Sequence, residues 1–199
     1  MGRTAQISLA AAGPNQPQGF DGSLAEQLPI MMVQDRIVFL SGDVTEHTIT
    51  NVQAQLISLA NISSAPIKLI VSTYGGSVDE MFSLYDTLKL IKTPVYTVAL
   101  GKVMSAGVLL LAAGDKGHRT IGRHARIMIH PVSGGSGGTV FQLENDSKEN
   151  IRLHNLMVNA LISETKMKKA EIEKIMKIGY DYYITADEAV RLGIVDSIV

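Results

Sequence analysis

The sequence predicts an α/β fold, a mostly parallel sheet with helices packed against it. Three observations lead there. β-rich runs and amphipathic helical runs alternate at least three times, a pattern that calls for parallel strands joined by helical crossovers. Two of the strands end in loops that open helices, Thr73-Tyr74-Gly75-Gly76 and Lys102-Val103-Met104-Ser105. The chain has 199 residues and 46% hydrophobic content, enough for one sizeable core, with no internal repeat.

The elements follow in order. Residues 1–19 are rich in Gly, Pro, Gln and Ala and read as a mobile arm, with a single domain from 20 to 199. "RIVFLSG" (Arg36–Gly42) is a short β-rich run ending in glycine, expected to be a strand. Ile49, Val52, Leu56, Leu59 and Ala60 then recur at helical spacing, and Thr45 or Asp43 can cap that helix. "IKLIVSTYGGSV" (Ile67–Val78) predicts a second strand running into a glycine pair. Asp79–Lys92 predicts a helix with acids early and lysines late, as the helix dipole prefers.

"PVYTVAL" (Pro94–Leu100) predicts a third strand, and a buried helix is expected from Ser105 through Ala113. The apolar window Val98–Gly114 has about the length of a minimal membrane span. Lys102 and the glycines within it favour a strand, a turn and a buried helix instead. "ARIMIHPV" (Ala125–Val132) predicts a fourth strand, followed by the glycine-rich Gly134–Gly138. Helices are expected over Val140–Glu164, over Lys169–Ile178 and after Thr185, with a terminal strand in "IVDSIV".

Composition narrows the function. Basic and acidic residues number 18 and 19, net charge is −1, and no basic block stands out, so nucleic acid is not an expected partner. There is no cysteine, hence no disulfide framework and no thiolate metal site. No secretory signal is read at the N-terminus, and a cytoplasmic location without membrane contact is expected.

Ser105 stands among small side chains where the apolar helix begins. It reads either as a helix cap or as a nucleophile, with free N–H groups at the Gly75–Gly76 pair and at Ala106 able to meet the oxyanion that develops on an attacked carbonyl. A nucleophilic serine needs a base. Of the five histidines, His47, His118, His124 and His154 fall on polar helix faces or charged loops. His130 ends a buried run, so it reads either as a satisfied core histidine or as the base. Asp181 lies among three tyrosines, which suggests a partly buried acid. Val103 breaks the G-x-S-x-G elbow, and no metal motif, phosphate loop or dinucleotide fingerprint is present. Lys102 reads as a solvated loop lysine, with a Ser–Lys pair as the other possibility.

Five stretches carry a resemblance: "RIVFLSGDV", "STYGGSVDEMFSLYDTLKLIKTPV", "GKVMSAGVLLLAAGDKGHR", "RIMIHPVSGG" and "ITADEAVRLGIVDSIV". From about Gln34 to the end, the chain resembles the proteolytic subunits of the Clp protease family. The resemblance implies a crotonase-like fold and serine endopeptidase activity on unfolded polypeptides, with no cofactor. It implies Ser105 as nucleophile, His130 as base, Asp181 as orienting acid, and the Gly76 and Ala106 N–H groups as oxyanion donors. Gly75, Ser133, Gly134 and Gly135 would bind substrate, the strand over Ser133–Thr139 pairing with an extended peptide.

It further implies paired seven-membered rings, joined by the long helix and that strand, and a hexameric Clp ATPase partner. A sister proteolytic subunit in a mixed ring is the alternative. The family's usual Ser-Pro-Gly-Gly reads Thr73-Tyr74-Gly75-Gly76 here, its His-Gln-Pro reads His130-Pro131-Val132, and its Asp-Arg reads Asp181-Tyr182.

Overall fold

The computed structural model describes residues 24–199. The arm expected over residues 1–19 lies outside them. Helix α1 (Leu24–Gln34) leads into β1 (Ile37–Ser41). Then come α2 (Glu46–Ile62), β2 (Ile67–Thr73), α3 (Val78–Leu90) and β3 (Val95–Met104). The three strands are parallel neighbours, so the predicted alternation yields the predicted sheet. Ile49, Val52, Leu56 and Leu59 are the buried face of α2, as their spacing requires. Thr45 caps that helix, accepting from Thr48 N while the Thr48 hydroxyl accepts from Thr45 N.

β3 is longer than its sequence suggests. Val71 pairs with Ala99, but Thr73 pairs with Val103, so β3 advances four residues while β2 advances two. Gly101, at φ 68°, accommodates the excess. The displacement gives β3 two different neighbours on its far side. Thr97–Ala99 pair with β4 (Arg119–Ile121), and Lys102–Met104 pair with β5 (Arg126–Ile129). The strand thus runs straight up to Ser105, where a loop had been expected.

Helix α4 (Ala106–Ala112) follows at once, and all seven of its residues are buried. It packs against β3, α3 and α5 (Val140–Glu164). Each of Leu109, Leu110 and Leu111 contributes roughly 2 kcal/mol of transfer free energy there. The apolar window around Ser105 therefore divides into strand end and core helix. No helix among the described residues is long and apolar enough to cross a membrane.

The chain closes with α6 (Lys169–Ile178), β6 (Tyr182–Ile184), α7 (Ala186–Arg191) and β7 (Ser197–Ile198). β7 is parallel to β4, and β6 is antiparallel to β5. The buried residues of α5 (Met157, Val158, Leu161 and Glu164) all lie in its second half. Its first half projects, with Phe141 77% exposed. The strand expected over Ser133–Thr139 forms no ladder in the single chain; these residues are irregular and, from Ser133 on, exposed.

A buried ion pair ties the C-terminal end to the core. Arg119 donates to both carboxylate oxygens of Asp196, at 3.0 and 2.7 Å. Its remaining fork reaches the carbonyls of Ala112 and Glu164. The Arg119 hydrogen bonds hold the Asp196 carboxyl down at about 2. Glu164 in turn accepts from the Tyr85 hydroxyl and from Lys89, both at 2.7 Å. Burial, then that bond to Glu164, pushes the Tyr85 phenol above its ordinary value.

Candidate active site

Three segments meet at one edge of the sheet: the β3–α4 junction, the end of β5, and the loop after β2. Ser105 occupies the junction at φ 53°, ψ −123°, one of two non-glycine residues with positive φ among those described. Such a conformation costs of order 1–3 kcal/mol and is retained where surroundings enforce it. Two main-chain bonds enforce it here. Ser105 N–H donates to Met128 O at 2.8 Å, and Ser105 O accepts from Val108 N at 3.0 Å.

The Ser105 side chain does not cap α4. Its Oγ lies 2.8 Å from His130 Nε2 instead. The sheet sets that distance. Met104 pairs with Met128, so Ser105 and His130 emerge side by side just past their strands. Both are partly buried. A hydroxyl within this reach of an imidazole is the arrangement that serine activation requires.

The loop after β2 comes close behind. A Cβ on Gly75 would lie 2.6 Å from Ser105 Cβ and 2.8 Å from Met104 O, so only glycine fits. A Cβ on Gly76 would run into the carbonyl of Val44. Val44 grips this loop from both sides, donating to Gly75 O at 2.8 Å and accepting from Ser77 N at 2.9 Å. The Gly75 N–H donates to Thr73 Oγ1 at 2.9 Å. None of these bonds uses the Gly76 N–H. The Ala106 N–H opens α4 and precedes its first intrahelical bond. Two main-chain donors are thus left over beside Ser105.

An open cleft of about 730 Å³ contains Ser105, His130, Gly75, Gly76 and Ser133, with Tyr74 at its border. Tyr74 is 60% exposed, and the Lys102 ammonium sits 4.6 Å from its ring centre. Lys102 belongs to β3 and pairs with an aromatic face rather than standing free in a loop. Asp43, Glu46 and Glu80 add carboxylates to the same cleft.

Gly134 lines the adjoining cavity, beside Pro131, Val132 and the α5 residues Asn150 and His154. A Cβ on Gly135 would meet open space. Of the other histidines, His47, His118 and His124 are exposed, and none of the three lines this cleft.

Asp181 is exposed, not partly buried as its tyrosine neighbours suggest, because Tyr180 and Tyr183 themselves point largely to solvent. The Tyr183 hydroxyl donates to its Oδ2 at 3.4 Å, a long bond. No hydrogen bond joins Asp181 to His130 among the described residues. Ile129 nonetheless pairs with Tyr182, the last pair of that antiparallel ladder, and His130 and Asp181 are the residues next beyond it on either strand. Sequence reasoning missed Thr73 and Val44 as the supports of the glycine loop. For Thr73 the signal was present: a hydroxyl two residues before a glycine commonly closes such a turn.

A family model described as Clp protease matches residues 22–199. That is most of the chain and includes every segment of the cleft, and this chain belongs to the Clp protease family, a family of serine peptidases.

Proposed function

We propose that the chain is the proteolytic subunit of an ATP-dependent protease, a serine endopeptidase with Ser105 as nucleophile. The observation that carries this reading is the 2.8 Å approach of Ser105 Oγ to His130 Nε2 beside two uncommitted main-chain donors. His130 Nε2 takes the hydroxyl proton as Oγ attacks the scissile carbonyl. The developing oxyanion accepts from Gly76 and Ala106 N–H. The imidazolium then protonates the leaving amine, and water releases the acyl group by the reverse sequence.

For Nε2 to accept, Nδ1 must carry the ring proton, and an acid at Nδ1 fixes that tautomer. Asp181 fills this role in the proposal, once its side chain turns from Tyr183 to His130. An extended substrate strand lies along Gly75 and Ser133–Gly135, bound through its main chain.

The wider reading follows family membership. It comprises a crotonase-like fold, paired seven-membered rings joined through α5 and the segment after His130, a hexameric Clp ATPase that feeds unfolded chains, and a cytoplasmic setting. A second reading, a weakly active subunit of a mixed ring with a sister chain, is favoured by one observation: the Asp181 carboxylate meets Tyr183 and not His130.

Peptide hydrolysis by the purified oligomer tests the first reading. Ser105→Ala should reduce kcat by several orders of magnitude. Turnover that survives the substitution unchanged would refute it. A wild-type chain that is silent alone, and active only after mixing with a sister subunit, would support the second.

A further inference from the structure

The glycine loop has a mechanical problem. Gly75 and Gly76 stand at φ 100° and 152°, and glycine gives such a pair many alternatives of similar energy. A donor aimed at an oxyanion has to be fixed before the reaction begins. Val44 fixes the Gly75 carbonyl and the Ser77 amide. What fixes the peptide plane on the other side is a side chain, through the 2.9 Å bond from Gly75 N–H to Thr73 Oγ1.

Thr73 has no exposed surface. It is the last residue of β2 and lies opposite Val103 of β3, two residues before Ser105. Its methyl reaches the other donor segment. A Cβ on Gly107, the residue after Ala106, would collide with Thr73 Cγ2. One side chain therefore touches both segments that carry uncommitted amides. The hydroxyl turns the Gly75 N–H into the protein, and the methyl sets how closely α4 approaches the sheet.

We propose that Thr73 is the positioning residue of the oxyanion site: Val44 holds, through Gly75 O, the peptide unit that carries the Gly76 N–H, and the Thr73 hydroxyl fixes the preceding unit, and with it the Gly75 torsion that aims that N–H. The inference rests on Ser105 acting as a nucleophile. It adds a group that touches no substrate yet sets the transition-state geometry.

Two pairs of proteins isolate the hydroxyl. Thr73→Val keeps the shape of the wild-type residue and loses the oxygen. Thr73→Ser and Thr73→Ala both lose the methyl, and only the serine keeps the oxygen. Peptide hydrolysis and the rate of Ser105 phosphonylation by a fluorophosphonate, which releases fluoride, are measured for all four, with oligomer size as the check on folding. Thr73→Val should lower kcat on the order of ten- to a hundredfold with KM within about twofold, since an oxyanion donor acts in the transition state. Thr73→Ser should exceed Thr73→Ala by a similar factor, and the labelling rates should follow. The serine–alanine pair still decides the matter if the valine variant does not assemble.

Equal kcat in serine and alanine variants, or a loss confined to KM, overturns the inference while leaving the nucleophile intact. A wild-type chain that neither cuts peptides nor labels at Ser105 overturns the reading of Ser105, and the inference with it.

Discussion

Ile129 of β5 pairs with Tyr182 of β6 in an antiparallel ladder, and both strands run out at that pair. His130 and Asp181 are the next residues on either side. Residues directly opposed in such a ladder have Cβ atoms about 5 Å apart. An imidazole and a carboxylate that kept such a spacing one step beyond the last pair would meet after side-chain rotation alone. The bond that now occupies Asp181 is the long one from Tyr183.

Competition between these two partners gives the first prediction. Asp181→Asn should lower kcat by roughly 10²–10⁴, because the amide no longer selects the tautomer that leaves Nε2 free. Tyr183→Phe should leave kcat unchanged or raise it a few-fold, because it removes only the competing donor. Steady-state kinetics on a short fluorogenic peptide read both. A Tyr183→Phe protein as impaired as Asp181→Asn would mean that the tyrosine, not the histidine, is the functional partner.

Gly75 gives the second. An alanine there carries a methyl into Ser105 Cβ and Met104 O, at a φ of 100° that side chains seldom adopt. The overlap with Met104 involves main chain, which cannot swing aside. Gly75→Ala should cost about 1–3 kcal/mol of stability. It should reduce Ser105 labelling by a fluorophosphonate far more than a similarly destabilising change elsewhere. Denaturant titration and labelling rate, measured on the same protein, separate the two effects.

The third concerns acid. The Asp196 carboxyl is held at about 2 in the folded chain by Arg119, against an ordinary value of 3.8. A depressed folded value means that its stabilisation is complete above the unfolded value and is lost as pH falls through the folded one. The window is therefore pH 4 down to 2. The shift corresponds to at most about 2 kcal/mol, and partial solvent access reduces this towards about 1. Asp196→Asn should flatten that part of the stability–pH curve. At neutral pH it should cost about 3 kcal/mol, since Arg119 is left buried without its counter-charge. Equilibrium unfolding between pH 2 and 7 measures both.

Much of this molecule is legible in its residues, and the parts that are not share a physical reason. The spacing of Ile49, Val52, Leu56 and Leu59 predicts α2 because helical burial depends on local periodicity. The parallel sheet follows from alternation alone. The extension of β3 to Met104 does not, because it depends on Gly101 absorbing a register difference set by a different strand. Strands β4 and β6 are three residues each and take their pairing from β3 and β5, so no periodicity announces them. The bond between Ser105 and His130 follows the residue pattern, since the two chain segments lie on neighbouring strands. The exposure of Asp181 does not, because tyrosines cover a neighbour only if they fold inwards.

The last prediction concerns assembly. Helix α5 keeps Val140, Phe141 and Ile151 mostly exposed, at 76%, 77% and 59%, on the half that leaves the body of the chain. Apolar side chains grouped on a projecting helix mark a contact surface. If α5 joins two rings, Phe141→Asp should split the particle into single rings or smaller species. Because Phe141 lies outside the core, unfolding of the subunit itself should change by no more than about 0.5 kcal/mol. Sedimentation velocity reads the particle size, and circular dichroism the fold. Particles of unchanged size would move the contact off this half of α5 and onto another face. Dissociation with an intact subunit spectrum would assign it here, and peptide turnover by the separated rings would then tell whether Ser105, His130 and Asp181 align without the partner ring.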